Sequence, residues 1–179
     1  MITFLRKHIL SGPEGLKLGP FVDRNLSTLL SWAKTERELR MWAGETFPSL
    51  PDEDTFRRHQ DKRKINGYQA EDRRGRFAGY AELVGSPGGN GILCRVIIDP
   101  ARRRMGLGKA FVELLEKEAF EGLRFKNLLL NVFTRNLPAV RCYRSLGFRP
   151  LTAGLKQRTY CGERWNLVVM KKTLSTKAA

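Results

Sequence analysis

Arg103-Arg104-Met105-Gly106-Leu107-Gly108 stands between an apolar run ending in Asp99-Pro100 and the amphipathic stretch Lys109–Phe120. That order predicts a strand, a turn and a helix. The first N–H groups of a helix have no intrahelical partner, and the macrodipole places about half a positive charge beside them. Glycine at 106 and 108 leaves no Cβ to hold an anion away, and Arg103, Arg104 and Lys109 add cations around the same spot. Such a turn suits a phosphate or pyrophosphate, although a tight turn on a basic surface would read the same way. The spacing argues against two common nucleotides. No Lys-Ser or Lys-Thr follows the glycines, as a P-loop would require. Phe111 stands where a dinucleotide fingerprint needs its third small residue, and Leu128–Phe133 ends without the acid that binds a ribose.

The second half holds the other candidates. Asn136 precedes Leu137-Pro138 and suits a helix cap. Tyr143 lies in the segment that follows, where an aromatic can pack against Leu146 and Phe148. Cys94, Cys142 and Cys161 form an odd set without Cys-x-x-Cys spacing, which predicts reduced structural thiols rather than a nucleophile or a metal site. His8 and His59 are the only histidines, so no metal is expected.

Arg-x-x-Gly-x-Gly after a strand ending in proline, followed by Asn131–Phe148, resembles the GNAT superfamily of acyl-CoA N-acyltransferases. The segment is similar to that family's Asn-x-x-Ala-x-x-x-Tyr-x-x-x-Gly-Phe pattern, and the match runs from about Ile92 to Arg149. The resemblance implies a splayed strand pair, Ile92–Asp99 and Asn127–Phe133, holding acetyl-CoA between them. On that alignment Val96, Ile97 and Ile98 offer backbone groups to the pantetheine arm. Arg103, Arg104, Met105, Gly106, Leu107, Gly108 and Lys109 surround the pyrophosphate. Asn136 and Ala139 face the cofactor, and Tyr143 becomes the acid near the thioester sulfur. The implied reaction is direct transfer of an acetyl group to a primary amine through a tetrahedral intermediate. The family's general base does not carry over, because Asn131 stands where many members have glutamate. Glu45 and Glu82 are substitutes by location alone, each read otherwise as a surface carboxylate.

The elements that must position these residues follow from pattern. A leader over 1–15 is expected, then one domain over 16–175 and a short tail over 176–179. Within the domain the reading is a short strand at Leu16–Leu18, one helix over Asn25–Gly44, and a helix capped by Asp52 or Asp54 that reaches Lys64. Strands follow at Gly67–Glu71, Phe77–Val84 and Ile92–Asp99. After the glycine-started helix come a strand at Asn127–Phe133, a helix at Pro138–Leu146, and strands at Phe148–Leu151 and Arg164–Lys171. The fold class is α/β, a mixed and mainly antiparallel sheet with helices on both faces.

With 179 residues, 41% hydrophobic and 28% charged, the chain is long enough for one packed core. No apolar stretch nears the roughly 20 residues of a membrane span, and a cytoplasmic protein is expected. The net charge of +15 favours polyanions, but the basic residues are spread out and no nucleic-acid module accompanies them. They are read as a solvated surface used locally by an anionic cofactor, and as an argument against a polycationic acceptor such as spermidine. Two other classes stay open: a regulatory module that holds acyl-CoA without turnover, and a basic nucleic-acid-associated protein. Self-association as a homodimer is also open.

Overall fold

A computed structural model describes residues 9–12, 15–62, 65–160 and 162–174. Among the described residues eight strands form one sheet: β1 (Leu10–Ser11), β2 (Lys17–Pro20), β3 (Ile65–Glu71), β4 (Phe77–Ser86), β5 (Asn90–Ile98), β6 (Asn127–Phe133), β7 (Arg149–Tyr160) and β8 (Glu163–Thr173). Their order is β1-β2-β3-β4-β5-β6-β8-β7. Every neighbouring pair is antiparallel except β5 with β6, which is parallel. The helices are α1 (Leu26–Leu30), α2 (Glu36–Ala43), α3 (Glu53–Gln60), α4 (Leu107–Lys117) and α5 (Leu137–Ser145). The mixed, mainly antiparallel α/β architecture is the one expected.

Alternation along β4 divides the core. Ala81 and Leu83 join Phe111, Val112 and Leu115 of α4 and Tyr143 of α5 in one buried cluster. Tyr80 points the other way, into a second cluster with Leu29 of α1, Leu39 of α2 and Phe56 of α3. Successive strand residues face opposite sides of a sheet, so the helices cover both faces. No helix among the described residues is long and apolar enough to cross a membrane.

The feature that creates a site is the parting of β5 from β6. Their pairing runs only from Asn90↔Asn127 to Leu93↔Leu130. Just beyond it, the register between β4 and β5 moves from Tyr80↔Ile97 to Glu82↔Cys94, so that Ala81 alone faces Arg95 and Val96. This is a β-bulge, which bends a strand and strengthens its twist. Arg95 adopts the left-handed φ of 49°, uncommon for a residue with a Cβ. Bent away at Arg95, β5 leaves the upper half of β6 unpaired on that side.

Several elements differ from the sequence reading. Asn25–Gly44 is two helices rather than one, because Thr35 accepts from the Glu38 N–H at 3.2 Å while the Glu38 carboxylate accepts from the Thr35 N–H at 3.1 Å. That capping box starts a new helix, and the link before it buries Trp32 and Ala33. Asp52 is the cap of α3, accepting from Thr55 N at 2.7 Å. The helix closes at Gln60, short of Lys64, which lies outside the described residues. The helix begun at the glycines gives way after Lys117 to a wider π turn, in which Leu123 N donates to Glu118 O at 2.8 Å. At the C-terminal end β7 continues to Tyr160 and pairs with β8 as a long hairpin. Of the expected leader, Leu10–Ser11 pairs with Lys17–Leu18. Residues 1–8, with His8, lie outside the described residues, as do Cys161 and 175–179.

Candidate active site

The cleft between β5 and β6 ends at the start of α4. Arg104 and Gly106 both have positive φ, 65° and 79°, and this pair of left-handed residues turns the chain abruptly into the helix. Gly106 is the N-cap, and no side chain bonds to the first N–H groups of α4. Lys109 N donates back to Gly106 O at 3.0 Å, which leaves the Leu107 and Gly108 N–H groups to solvent or a ligand. A Cβ built on Gly106 would meet nothing within 4 Å, and one on Gly108 would meet only Ile98 Cγ1 at 3.8 Å. Protein packing does not require glycine at 108; the space is free for a group approaching from the cleft. The orphan donors and the bare approach fit a pyrophosphate.

The strand beside this turn also presents free backbone. Asp99 N donates to Ala78 O at 3.0 Å, and Tyr80 is opposite Ile97. In an antiparallel ladder alternate residues bond to the same neighbour, so Ile97 bonds toward β4 while Val96 and Ile98 turn toward the cleft. Arg103 Nε donates to Ile98 O at 3.3 Å, which holds that arginine at the rim.

A cavity of about 500 Å³ fills the cleft. The strand side contributes Val96, Ile97 and Ile98, the turn Arg103, Arg104 and Gly108, and the far wall Asn136, Ala139 and Tyr143. Asn136 caps α5, its Oδ1 accepting from Ala139 N at 3.3 Å. Tyr143 is 8% exposed, and its ring meets Phe148 edge-on at 5.8 Å. Burial pushes its phenol well above the ordinary value, so it stays protonated at neutral pH. A second cavity of about 460 Å³ lies on the other side of Val96, Asn136, Ala139 and Tyr143, which line both. Glu45, Arg95, Asn131, Lys156 and Arg158 form much of its remaining wall.

A sequence model of the acetyltransferase (GNAT) family matches residues 27–148, more than half of the chain and all of the cleft. This chain belongs to the GNAT family. It is accordingly an acetyl-CoA-dependent acyltransferase. Among solved structures it is similar to a spermidine N-acetyltransferase from Vibrio cholerae in complex with CoA and spermine, at 16% identity and a TM-score of 0.76 over 88% of this chain and 95% of that one. A mutant form of the spermidine/spermine N-acetyltransferase from the same organism has 18% identity and a TM-score of 0.71, over 88% and 94%. At these identities the likeness shows the GNAT fold and nothing of the acceptor.

The GNAT cleft gathers most of the residues singled out in the sequence. Met105 and Gly106 sit on the turn and Leu107 and Lys109 at the start of α4, all outside the cavity lining, and Met105 is 63% exposed. Glu45 is at the mouth of the second cavity, its Oε2 3.3 Å from Arg158 Nε.

Glu82 is not the surface carboxylate that the sequence suggested. It is 0% exposed and lines neither cavity. Tyr80 and Glu82 share the α3 side of β4. There Glu82 accepts from Tyr80 Oη at 2.8 Å and from His59 Nε2 at 3.0 Å, and pairs with the Arg95 guanidinium. Burial alone would raise its carboxyl, but the bonds from His59 and Arg95 outweigh that and hold it below the ordinary carboxylate range. It is a buried anchor for the bulge.

Arg95 belongs to no motif, and its one sequence signal is that of a lone arginine inside the apolar run Ile92–Ile98. Its carbonyl accepts from Trp42 Nε1 at 2.8 Å, and its guanidinium reaches Thr46 Oγ1 at 2.9 Å. Those contacts tie α2 and the loop after it to the bulge. Trp32, Glu38, Met41 and Trp42 close the first cavity from the N-terminal helices, where the sequence offered no motif. Burial pushes the Cys94 thiol up to about 11 and raises that of Cys142, which leaves both as neutral thiols at physiological pH. No group of three or more possible metal-ligating side chains occurs among the described residues.

Proposed function

We propose that this GNAT protein transfers an acetyl group from acetyl-CoA directly to a primary amine, at the junction of its two cavities. The observation that carries this reading is the shared lining: Val96, Asn136, Ala139 and Tyr143 face both chambers. An acyl donor in one and an amine in the other would meet there. Acetyl-CoA, when bound, supplies the activated thioester. The residues of the chain supply position and charge. The N–H groups at the start of α4, with Arg103 and Arg104, hold the pyrophosphate end. The Val96 backbone and the Ile98 N–H would align the arm, and the Val96 N–H would donate to the thioester carbonyl as negative charge develops on it.

Tyr143, kept protonated by burial, gives its proton to the departing sulfur. Tyr143→Phe is expected to lower kcat by about ten- to a thousandfold, with KM for acetyl-CoA nearly unchanged. Steady-state rates with both substrates varied check this. A loss of folding stability in proportion to the loss of rate would instead make Tyr143 a packing residue.

Among the described residues no carboxylate faces both cavities: Glu38 lines the first alone, and its Oε2 accepts from the N–H groups of Lys34 and Thr35 at the start of α2. Asn131 is an amide, Glu82 is sealed beneath the sheet, and Glu45 is 63% exposed and paired with Arg158. Orientation of a neutral amine against a polarised thioester accounts for the step without a dedicated base: the proton that the nitrogen loses as the C–S bond breaks goes to water, and the Tyr143 phenolate takes one back from water. The profile of kcat/KM against pH should therefore rise with deprotonation of the acceptor itself and shift when acceptors of different pKa are compared. An inflection near 6 to 7 that stays fixed for every amine would show an enzyme base.

A further inference from the structure

The second cavity has a cationic wall. Arg95 from the bulge and Lys156 and Arg158 from β7 line it, against one acid, Glu45. The two-residue period of a strand turns Lys156, Arg158 and Tyr160 to the same side of β7, and all three line the cavity. Glu45 already pairs with Arg158, and at 63% exposure its charge is well screened. Lys156 makes no ion pair among the described residues. Arg95 meets Glu82 through one terminal nitrogen, while its Nε is buried without a hydrogen-bond partner. One cation without an ion pair, Lys156, an Arg158 whose exposed partner is screened, and the orphan Arg95 Nε–H together make this partly enclosed cavity complementary to an anion.

We infer that the acceptor is a small primary amine that also carries a carboxylate, held by Lys156 and Arg158 while its amine reaches the Val96–Tyr143 junction. The inference rests on the acetyl-transfer reading above and narrows its acceptor. A polyamine placed in the same chamber would set its remaining cations against Arg95, Lys156 and Arg158, and like charges in a site of reduced dielectric repel strongly. The volume of about 460 Å³ suits a small molecule. The polyamine-acetylating proteins of similar fold do not bear against this, since the cavity wall is made of this chain's own side chains.

The test uses two N-acetyl products of equal chain length, N-acetyl-4-aminobutanoate and N-butylacetamide, titrated calorimetrically into the CoA-loaded protein. The carboxylate compound should bind at least about tenfold tighter, and Lys156→Ala/Arg158→Ala should remove most of that difference while CoA affinity stays as it was. In turnover, kcat/KM should fall in the order 4-aminobutanoate, butylamine, 1,4-diaminobutane. Equal binding of the two products, a preference that survives the double substitution, or 1,4-diaminobutane as the best acceptor would overturn the inference. The same titrations without CoA read the cationic wall by itself. Failure to bind CoA therefore counts against the acetyl-transfer reading, and equal product binding counts against the acceptor class alone.

Discussion

Gly108→Val is expected to weaken acetyl-CoA binding by at least about tenfold, or 1.4 kcal/mol, while leaving the free protein as stable as before. The expectation comes from where the side chain would go. A Cβ at 108 touches only Ile98 Cγ1, at an ordinary 3.8 Å, so the fold has room for it. Valine and glycine also differ little in helix propensity, and the position is in the first turn of α4. The added methyls instead occupy the approach to the unbonded N–H groups. Gly106→Val would serve less well, because φ is 79° there and a β-branched residue in that conformation strains the backbone whatever binds. Calorimetric titration with acetyl-CoA and urea unfolding of the same sample separate the two effects. Unchanged affinity would remove the glycine turn from the cofactor site.

Arg95→Ala is expected to cost about 3–5 kcal/mol of folding stability at neutral pH, the usual price of stranding a buried charge. Glu82 is 0% exposed and the Arg95 side chain 12%, so the pair is largely desolvated. The pH dependence has a definite sign. With its partners present, Glu82 titrates below the ordinary carboxylate value of 4.5. Its contribution to stability is then present above pH 4.5 and is lost as pH falls through the lowered folded-state value. Without Arg95, burial is less opposed and the folded-state value rises. The deficit of the variant should therefore narrow as acid protonates Glu82. Urea midpoints at pH 7.5 and at pH 4.5 test this, a constant deficit being the contrary result. Backbone conformation adds a second check: at φ 49°, Arg95→Gly should be about 1–2 kcal/mol more stable than Arg95→Ala.

The cleft at the glycine turn, where we propose that acetyl-CoA binds, was legible in the sequence as a turn because it is built from local backbone chemistry. Glycines at 106 and 108, arginines beside them and an apolar strand before them dictate the turn, its left-handed residues and its orphan donors with little help from the rest of the chain. Asn136 and Tyr143 were legible for the same reason, being carried on one cap and one helix. The second cavity, the proposed acceptor chamber, was not, because it is assembled from distant segments. Arg95 needed the bulge opposite Ala81 to bring it to the cavity, and Lys156 and Arg158 needed β7 to run on to Tyr160. The stretch Thr152–Arg158 has no apolar alternation to announce a strand; it is an edge strand held by pairing with β8. Glu82 was misplaced because a carboxylate in a strand normally faces water, and its partners arrive from α3 and β5, which are 23 and 13 residues away. The break between α1 and α2 was readable in principle from Thr35 and Glu38, the two ends of a capping box, but the apolar pattern ran through it.

Release of free thiol from acetyl-CoA, followed beside the mass of the amine in the same reaction, tests the central claim most directly. The account predicts thiol release that depends on a primary amine, one acetylated amine for each thiol, and loss of both in Gly108→Val at subsaturating acetyl-CoA. Firm binding of acetyl-CoA with no amine-dependent thiol release, across neutral, carboxylate-bearing and cationic amines, would contradict it.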